Sequence, residues 1–167
     1  SQLTNLFAKD DAVANDTVDA TGMDATSLGL LVTNVGKIAN NGITGTLSLS
    51  VNDEHTLTSV LNSTAVVTVS DTGTAISAAM TNIVSEITKI DHIDATSGTL
   101  VIDTIAHLNT ITNAKLTNGN TVKVIMSAGD TLSDKTNIDK IDVGVAGVTG
   151  TEAASAGTKG RKENNLR

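Results

Sequence analysis

The chain contains no cysteine, no proline, no tryptophan and no tyrosine, and Phe7 is its single aromatic residue among 167. Without cysteine there are no disulfides, no thiolate metal sites and no cysteine nucleophile. Without proline, every backbone N–H after the first residue is available to a ladder or a helix. The near absence of aromatic rings excludes the stacking platforms on which proteins bind single-stranded nucleic acid and sugars. Charge is also sparse: 17 % of residues are charged and the net charge is −7, the wrong sign for a phosphate backbone, so nucleic acid is not an expected partner. No apolar run reaches the roughly 18 residues a membrane span needs. Ser1 opens neither a signal peptide nor an initiator sequence, so a processed protein or an excised segment is expected.

What remains is aliphatic and hydroxylated. Hydrophobic residues make up 39 % and glycine adds 14 residues, enough to build a core from Val, Ile, Leu, Ala and Met under a Thr/Ser/Asn surface. The most informative feature is self-similarity. Lys37-Ile38, Lys89-Ile90 and Lys140-Ile141 recur at spacings of 52 and 51, and Gly45-Thr46, Gly98-Thr99 and Gly150-Thr151 at 53 and 52. Leu3-Thr4, Leu57-Thr58 and Leu108-Asn109 form a third series. These markers divide one repeat domain, residues 1–157, into copies at about 3–54, 55–106 and 107–157, followed by a basic tail at 158–167.

The second copy reads most clearly. Leu57, Val60 and Leu61 have helical spacing, and Val66 to Ser70 is β-branched enough for a strand. Asp71-Thr72-Gly73-Thr74 supplies turn and cap chemistry for a helix whose face is Ile76, Met80, Ile83 and Ile87. Ile87 to Ile93 reads as a half-buried strand, and Gly98 to Asp103 as another after a Ser-Gly turn. In the first copy Thr26 to Val35 replaces the long helix and Gly45 to Val51 alternates as a strand. In the third, Thr121 to Met126 is the strand, the long helix shrinks to a turn between Asp130 and Lys140, and the pattern fades after Gly150. The expected fold is mainly β with short helices: a solenoid-like stack of three repeats of about 52 residues with parallel strand ladders. The competing layout is a closed α/β sandwich.

At Val67-Thr68-Val69-Ser70-Asp71-Thr72-Gly73-Thr74-Ala75-Ile76, then Lys89-Ile90-Asp91 and the Gly98-Thr99-Leu100 strand, the chain resembles the Thr/Ser/Asp-rich tandem repeats of large bacterial and cyanobacterial extracellular surface proteins and adhesins. Similar segments occur in phage virion proteins. The resemblance covers about 3–151 and implies a non-enzymatic extracellular building block, at the cell surface or in a virion. It transfers no catalytic residue.

The residues themselves agree that no enzyme is expected: there is no nucleophile elbow, no His-Glu-x-x-His and no phosphate-binding loop. His55 and His107, 52 apart, offer too few converging ligands for a transition metal. Aspartates gather at turns, and calcium is the one cofactor such turns suggest, with Asp91, Asp94 and Asp103 as its candidate ligands; turn formation and capping explain the same residues without a metal. The expected function is a structural subunit that self-assembles head-to-tail into a filament, surface layer or virion appendage. The assembly residues are Asp10, Asp11, Asp16 and Asp19 facing the basic Lys159, Arg161, Lys162 and Arg167 of the next copy. The rival class is an adhesin-type module that recognises a glycan on a host or cell surface.

Overall fold

The computed structural model describes residues 7–8, 16–112, 115–117, 119–132 and 137–143. Eight strands are defined among them: β1 (Asp16–Asp19), β2 (Ile38–Thr44), β3 (Thr46–Leu49), β4 (Val66–Thr72), β5 (His92–Ser97), β6 (Thr99–Ile102), β7 (Thr121–Met126) and β8 (Lys140–Val143). Five short α-helices alternate with them: α1 (Ala25–Thr33), α2 (Val51–Leu57), α3 (Gly73–Ala78), α4 (Met80–Glu86) and α5 (Ile105–Ile111). Helix and strand are about equally represented, so the protein is mixed α/β rather than mainly β. The β-rich expectation undercounted helices because most of them span only two turns, too short for a strong periodic signal.

Helices of six to nine residues do not persist alone; they need caps and a packed face. Four of the five have an oxygen-bearing N-cap. Asp24 accepts from Ser27 N at 2.8 Å, Ser50 from Asp53 N at 3.2 Å, Thr72 from Ala75 N at 3.2 Å and Thr104 from His107 N at 3.1 Å. The Ser50 cap corrects two expectations. Ser50 Oγ also donates to Asp53 Oδ2 at 2.8 Å, which fixes the cap, so the strand stops at Leu49 and the helix occupies Val51–Leu57. Leu61 then stands beyond the helix as a single bridge residue against Ile43.

The strands form three sheets, ordered β1-β2, β3-β4-β5 and β6-β7-β8. Every pairing with a defined register is parallel: Val18 lies opposite Ile43, Leu47 opposite Val67, Leu100 opposite Val122 and Val124 opposite Ile141. Adjacent parallel strands require a crossover, and short helices supply it between β1 and β2, between β3 and β4 and between β6 and β7. Between β2 and β3, and again between β5 and β6, the chain passes through a glycine with positive φ, Gly45 (φ 90°) and Gly98 (φ 77°). These two corner glycines are the Gly-Thr markers of the sequence.

By contacts the chain divides into two compact units, Ser1–Ser70 with Ser85–Ile93, and Asp71–Val84 with Asp94–Arg167. In the first, Phe7, Val18, Leu31, Ile43, Leu57 and Leu61 are among the side chains of one aliphatic cluster. In the second, Ile76, Met80, Ile83, Leu100, Leu108 and Val122 are buried. Each such side chain stabilises its unit by about 1.5–3 kcal/mol. Val66–Ser70, Thr121–Met126 and the Thr72-capped helix lie as the sequence implies, although that helix breaks at Ala79 into α3 and α4. The expected strand over 87–93 is corrected: Ile87–Lys89 is a 3₁₀ turn and the strand begins at His92. The turn of the third copy falls partly outside the described residues, as does everything after Val143.

The 3₁₀ turns explain the Lys-Ile marker. Val35–Lys37 and Ile87–Lys89 each end in a lysine that reaches back to an earlier backbone carbonyl: Lys37 Nζ donates to Phe7 O, and Lys89 Nζ to Leu61 O at 2.6 Å and Asn41 Oδ1 at 2.9 Å. Ile38 and Ile90 then enter the core. Lys140 differs, since it opens β8 and is exposed. Lys89→Met keeps the stem and strands the Leu61 carbonyl, a loss of about 1–3 kcal/mol. Its melting temperature is expected to fall by roughly 3–10 °C. Lys123→Met, which removes only a surface pair with Asp142 at 3.3 Å, should melt near the parent. Equal melting of the two variants in a thermal scan would show that the lysine contact is dispensable.

Candidate functional site

The three calcium candidates are directed to three different tasks. Asp91 forms a two-way clasp with β4: its N–H donates to Val67 O at 2.8 Å, and its Oδ2 accepts from Val67 N at 2.8 Å. The same clasp recurs between Asp139 and Val122, at 3.0 and 2.8 Å. Asp94 Oδ1 accepts from Thr117 Oγ1 at 2.9 Å. Asp103 Oδ1 lies 2.6 Å from His107 Nδ1, one helical turn away. No group of three or more His, Asp or Glu side chains suited to a metal occurs among the described residues. The Lys89-Ile90-Asp91 stretch is thus three adjacent structural devices: a carbonyl cap, a core residue and a strand clasp.

Of the assembly residues, Asp10, Asp11, Lys159, Arg161, Lys162 and Arg167 lie outside the described residues, and Asp16 opens β1. Asp19 Oδ1 accepts from Thr21 N at 3.0 Å and Thr21 Oγ1 at 2.7 Å, and these two bonds hold its carboxyl below the usual carboxylate range.

What the structure does bring together is an acid pair. The chain has only four glutamates, at 54, 86, 152 and 163. Glu54 lies on the apolar face of α2 between Val51 and Leu57 and is 1 % exposed. Glu86 ends α4, and its carboxyl lies beside that of Glu54. His55, exposed on α2, places Nδ1 2.7 Å from Glu86 Oε1. Two oxygens, Glu54 Oε1 and Glu86 Oε2, are buried with no hydrogen-bond partner among the described residues. Burial pushes the Glu54 carboxyl up to about 8; the neighbouring Glu86 charge and their mutual hydrogen bond add to the shift, while a hydrogen bond from Thr58 opposes it. At neutral pH Glu54 is therefore a neutral acid. Chemically the pair stores a proton next to an imidazole that faces water.

Neither Glu54 nor Glu86 stands out as a candidate in the amino-acid sequence. A signal was present: Val51, Glu54 and Leu57 have i, i+3, i+6 spacing, and Ile83 and Glu86 repeat the i, i+3 step, which puts a scarce acid on an apolar helix face in both places.

The other exposed feature is apolar. Only three large hydrophobic residues among those described are exposed, and two of them, Ile141 (41 %) and Val143 (40 %), are on the four-residue strand β8. They stand in register beside the buried Val124 and Met126 of β7, so two core columns end on uncovered side chains. No helix among the described residues is long and apolar enough to cross a membrane. No protein-family model, no curated protein and no solved structure matches the chain.

Proposed function

We propose that this chain is a non-enzymatic structural protein, a self-assembling subunit of an extracellular filament, surface layer or virion appendage. In this reading the parallel βα units stack as a solenoid, and a copy continues the stack of its neighbour. The observation that supports it best is the exposed end of the apolar columns at Ile141 and Val143. A strand whose neighbour is core on one side and solvent on the other offers both backbone ladder groups and aliphatic surface to another strand. Charge complements this. Residues 158–167 carry +3, while residues 1–158, with seven basic and seventeen acidic side chains, carry −10. A head-to-tail contact between unlike surfaces leaves each copy able to take another, so an open fibre is its natural product.

Electron microscopy and sedimentation of the purified chain test this. Fibres or sheets are expected from the parent. The double variant Ile141→Lys with Val143→Lys should stay folded, because both positions are exposed, and should remain monomeric. Deleting 158–167 should weaken assembly and remove its salt sensitivity. A parent that stays monodisperse at high concentration, or a double variant that assembles like the parent, would refute the proposal.

A further inference from the structure

Glu54 is 1 % exposed and Glu86 meets a single imidazole, that of His55; a carboxyl pair so placed persists most readily while it holds a proton. The elements packed most extensively against α2 are α1 and β3, and neither carries a titratable side chain. On α2 itself Asp53 is engaged by Ser50 Oγ, and His55 lies against Glu86. In the segment Ser85–Ile93, Lys89 is held by Leu61 O and Asn41, Asp91 by Val67 N, and His92 is exposed. Lys37 is directed to Phe7 O. Lys37 and Lys89 thus each already have a backbone partner, and His55 is the side chain that meets the pair.

We propose that the Glu54–Glu86 carboxyl pair is a proton-operated latch that closes α2 onto the segment Ser85–Ile93 inside the first unit. With one proton the pair forms a carboxylic acid to carboxylate hydrogen bond, and His55 anchors the outer oxygen of Glu86 toward water. When that proton leaves to solvent, two carboxylates share one site in which Glu54 Oε1 and Glu86 Oε2 have no other hydrogen-bond partner among the described residues. Like charges at hydrogen-bond separation in a buried site cannot both persist, so α2 is released. This inference is independent of the assembly reading.

The direction in pH follows from the Glu54 carboxyl titrating above its ordinary value of 4.5, at about 8. A raised carboxyl stabilises the fold fully at pH below the ordinary value, and that contribution is lost as pH climbs through about 8. The latch is closed in acid and open in alkali, the reverse of a salt-bridged carboxylate.

Three measurements on the full chain test it. Carbon NMR of the glutamate carboxyls should show one group titrating near pH 8. The melting temperature of the parent should drop by roughly 5–10 °C between pH 6 and pH 9, while Glu54→Gln, which keeps an amide donor for Glu86 and cannot ionise, should lose most of that slope and melt above the parent at pH 9. Hydrogen exchange at pH 9, corrected for its intrinsic rate, should show lost protection at 51–57 in the parent only. Should Glu54→Gln fail to fold, Glu86→Gln removes the facing charge and is expected to reduce the slope in part, the burial of Glu54 keeping the remainder. All glutamates titrating near 4.5, or parallel pH slopes for parent and variant, would overturn the latch.

Discussion

Val69→Asp is expected to leave the chain unfolded at 25 °C. Val69 is 0 % exposed in β4, opposite the buried Leu49 of β3, with Val67 buried on the same face two residues earlier. These are aliphatic side chains with no polar group to receive a carboxylate. An ionised Asp there would forfeit its hydration without a partner, and even as the neutral acid it would bury unsatisfied oxygens and lose the packing of two methyl groups. Such losses total several kcal/mol, against a net stability on the order of 5–15 kcal/mol for a domain of this kind. Val66→Asp is the control. Val66 is the first residue of the same strand and 43 % exposed, so its variant should melt within a few degrees of the parent. Circular dichroism of the two proteins reads the difference directly. A cooperative transition for Val69→Asp close to that of the parent would mean the core columns do not support the fold.

The alternation that makes this contrast was legible in the amino-acid sequence, because a half-buried strand writes its two faces as a period of two. Val66-Val67-Thr68-Val69-Ser70 and Thr121-Val122-Lys123-Val124-Ile125-Met126 could be placed for that reason. Helix starts were legible where a hydroxyl or carboxylate precedes the helix, as at Thr72. The turn at Ile87–Lys89 was not. Ile87 to Ile93 mixes apolar and polar residues in a way that a half-buried strand also shows, whereas the three-residue step from Ile87 to Ile90 belongs to a 3₁₀ turn, from which Lys89 reaches back to Leu61. The equal share of helix was missed for a related reason, since two-turn helices such as α2 and α5 contribute two or three apolar positions each. The acid pair was out of reach for another cause. Glu54 and Glu86 are 32 positions apart, and only the tertiary approach of α2 to the end of α4 turns two ordinary glutamates into one shared proton. The Lys-Ile-Asp stretch suggested kinship and a calcium ligand, whereas its aspartate replaces a backbone acceptor for Val67.

Replacing Gly73 by alanine is expected to lower the melting temperature by roughly 5 °C or more, a larger effect than any other single methyl group should have in the second unit. Gly73 begins α3 with an ordinary helical start, so its backbone conformation would accept any residue; the obstacle is space. A Cβ built there falls 2.5 Å from the carbonyl carbon of Thr99, 2.6 Å from its oxygen and 2.8 Å from Leu100 N. All three are backbone atoms of β6, which is held in register by β7, Thr99 opposite Thr121 and Leu100 opposite Val122. A flexible side chain would swing away from the new methyl, but a paired strand moves only with its ladder. Ser77 raises the stakes, because its Oγ accepts from Val101 N at 2.7 Å and would be displaced along with α3. The corresponding approach in the first unit has its glycine on the opposite partner: a Cβ on Gly45 would meet Asp19 Oδ1 at 2.3 Å and Thr21 N at 2.8 Å. Gly29, exposed inside α1 with nothing within 4 Å of its Cβ position, supplies the contrast. Gly29→Ala should raise stability by about 0.5–1 kcal/mol, since alanine loses less backbone entropy in a helix. Thermal melts of Gly73→Ala and Gly29→Ala should therefore move in opposite directions from the parent. If both rise, α3 has room to retreat from β6, and the close approach at Gly73 is not what fixes the helix on the strand.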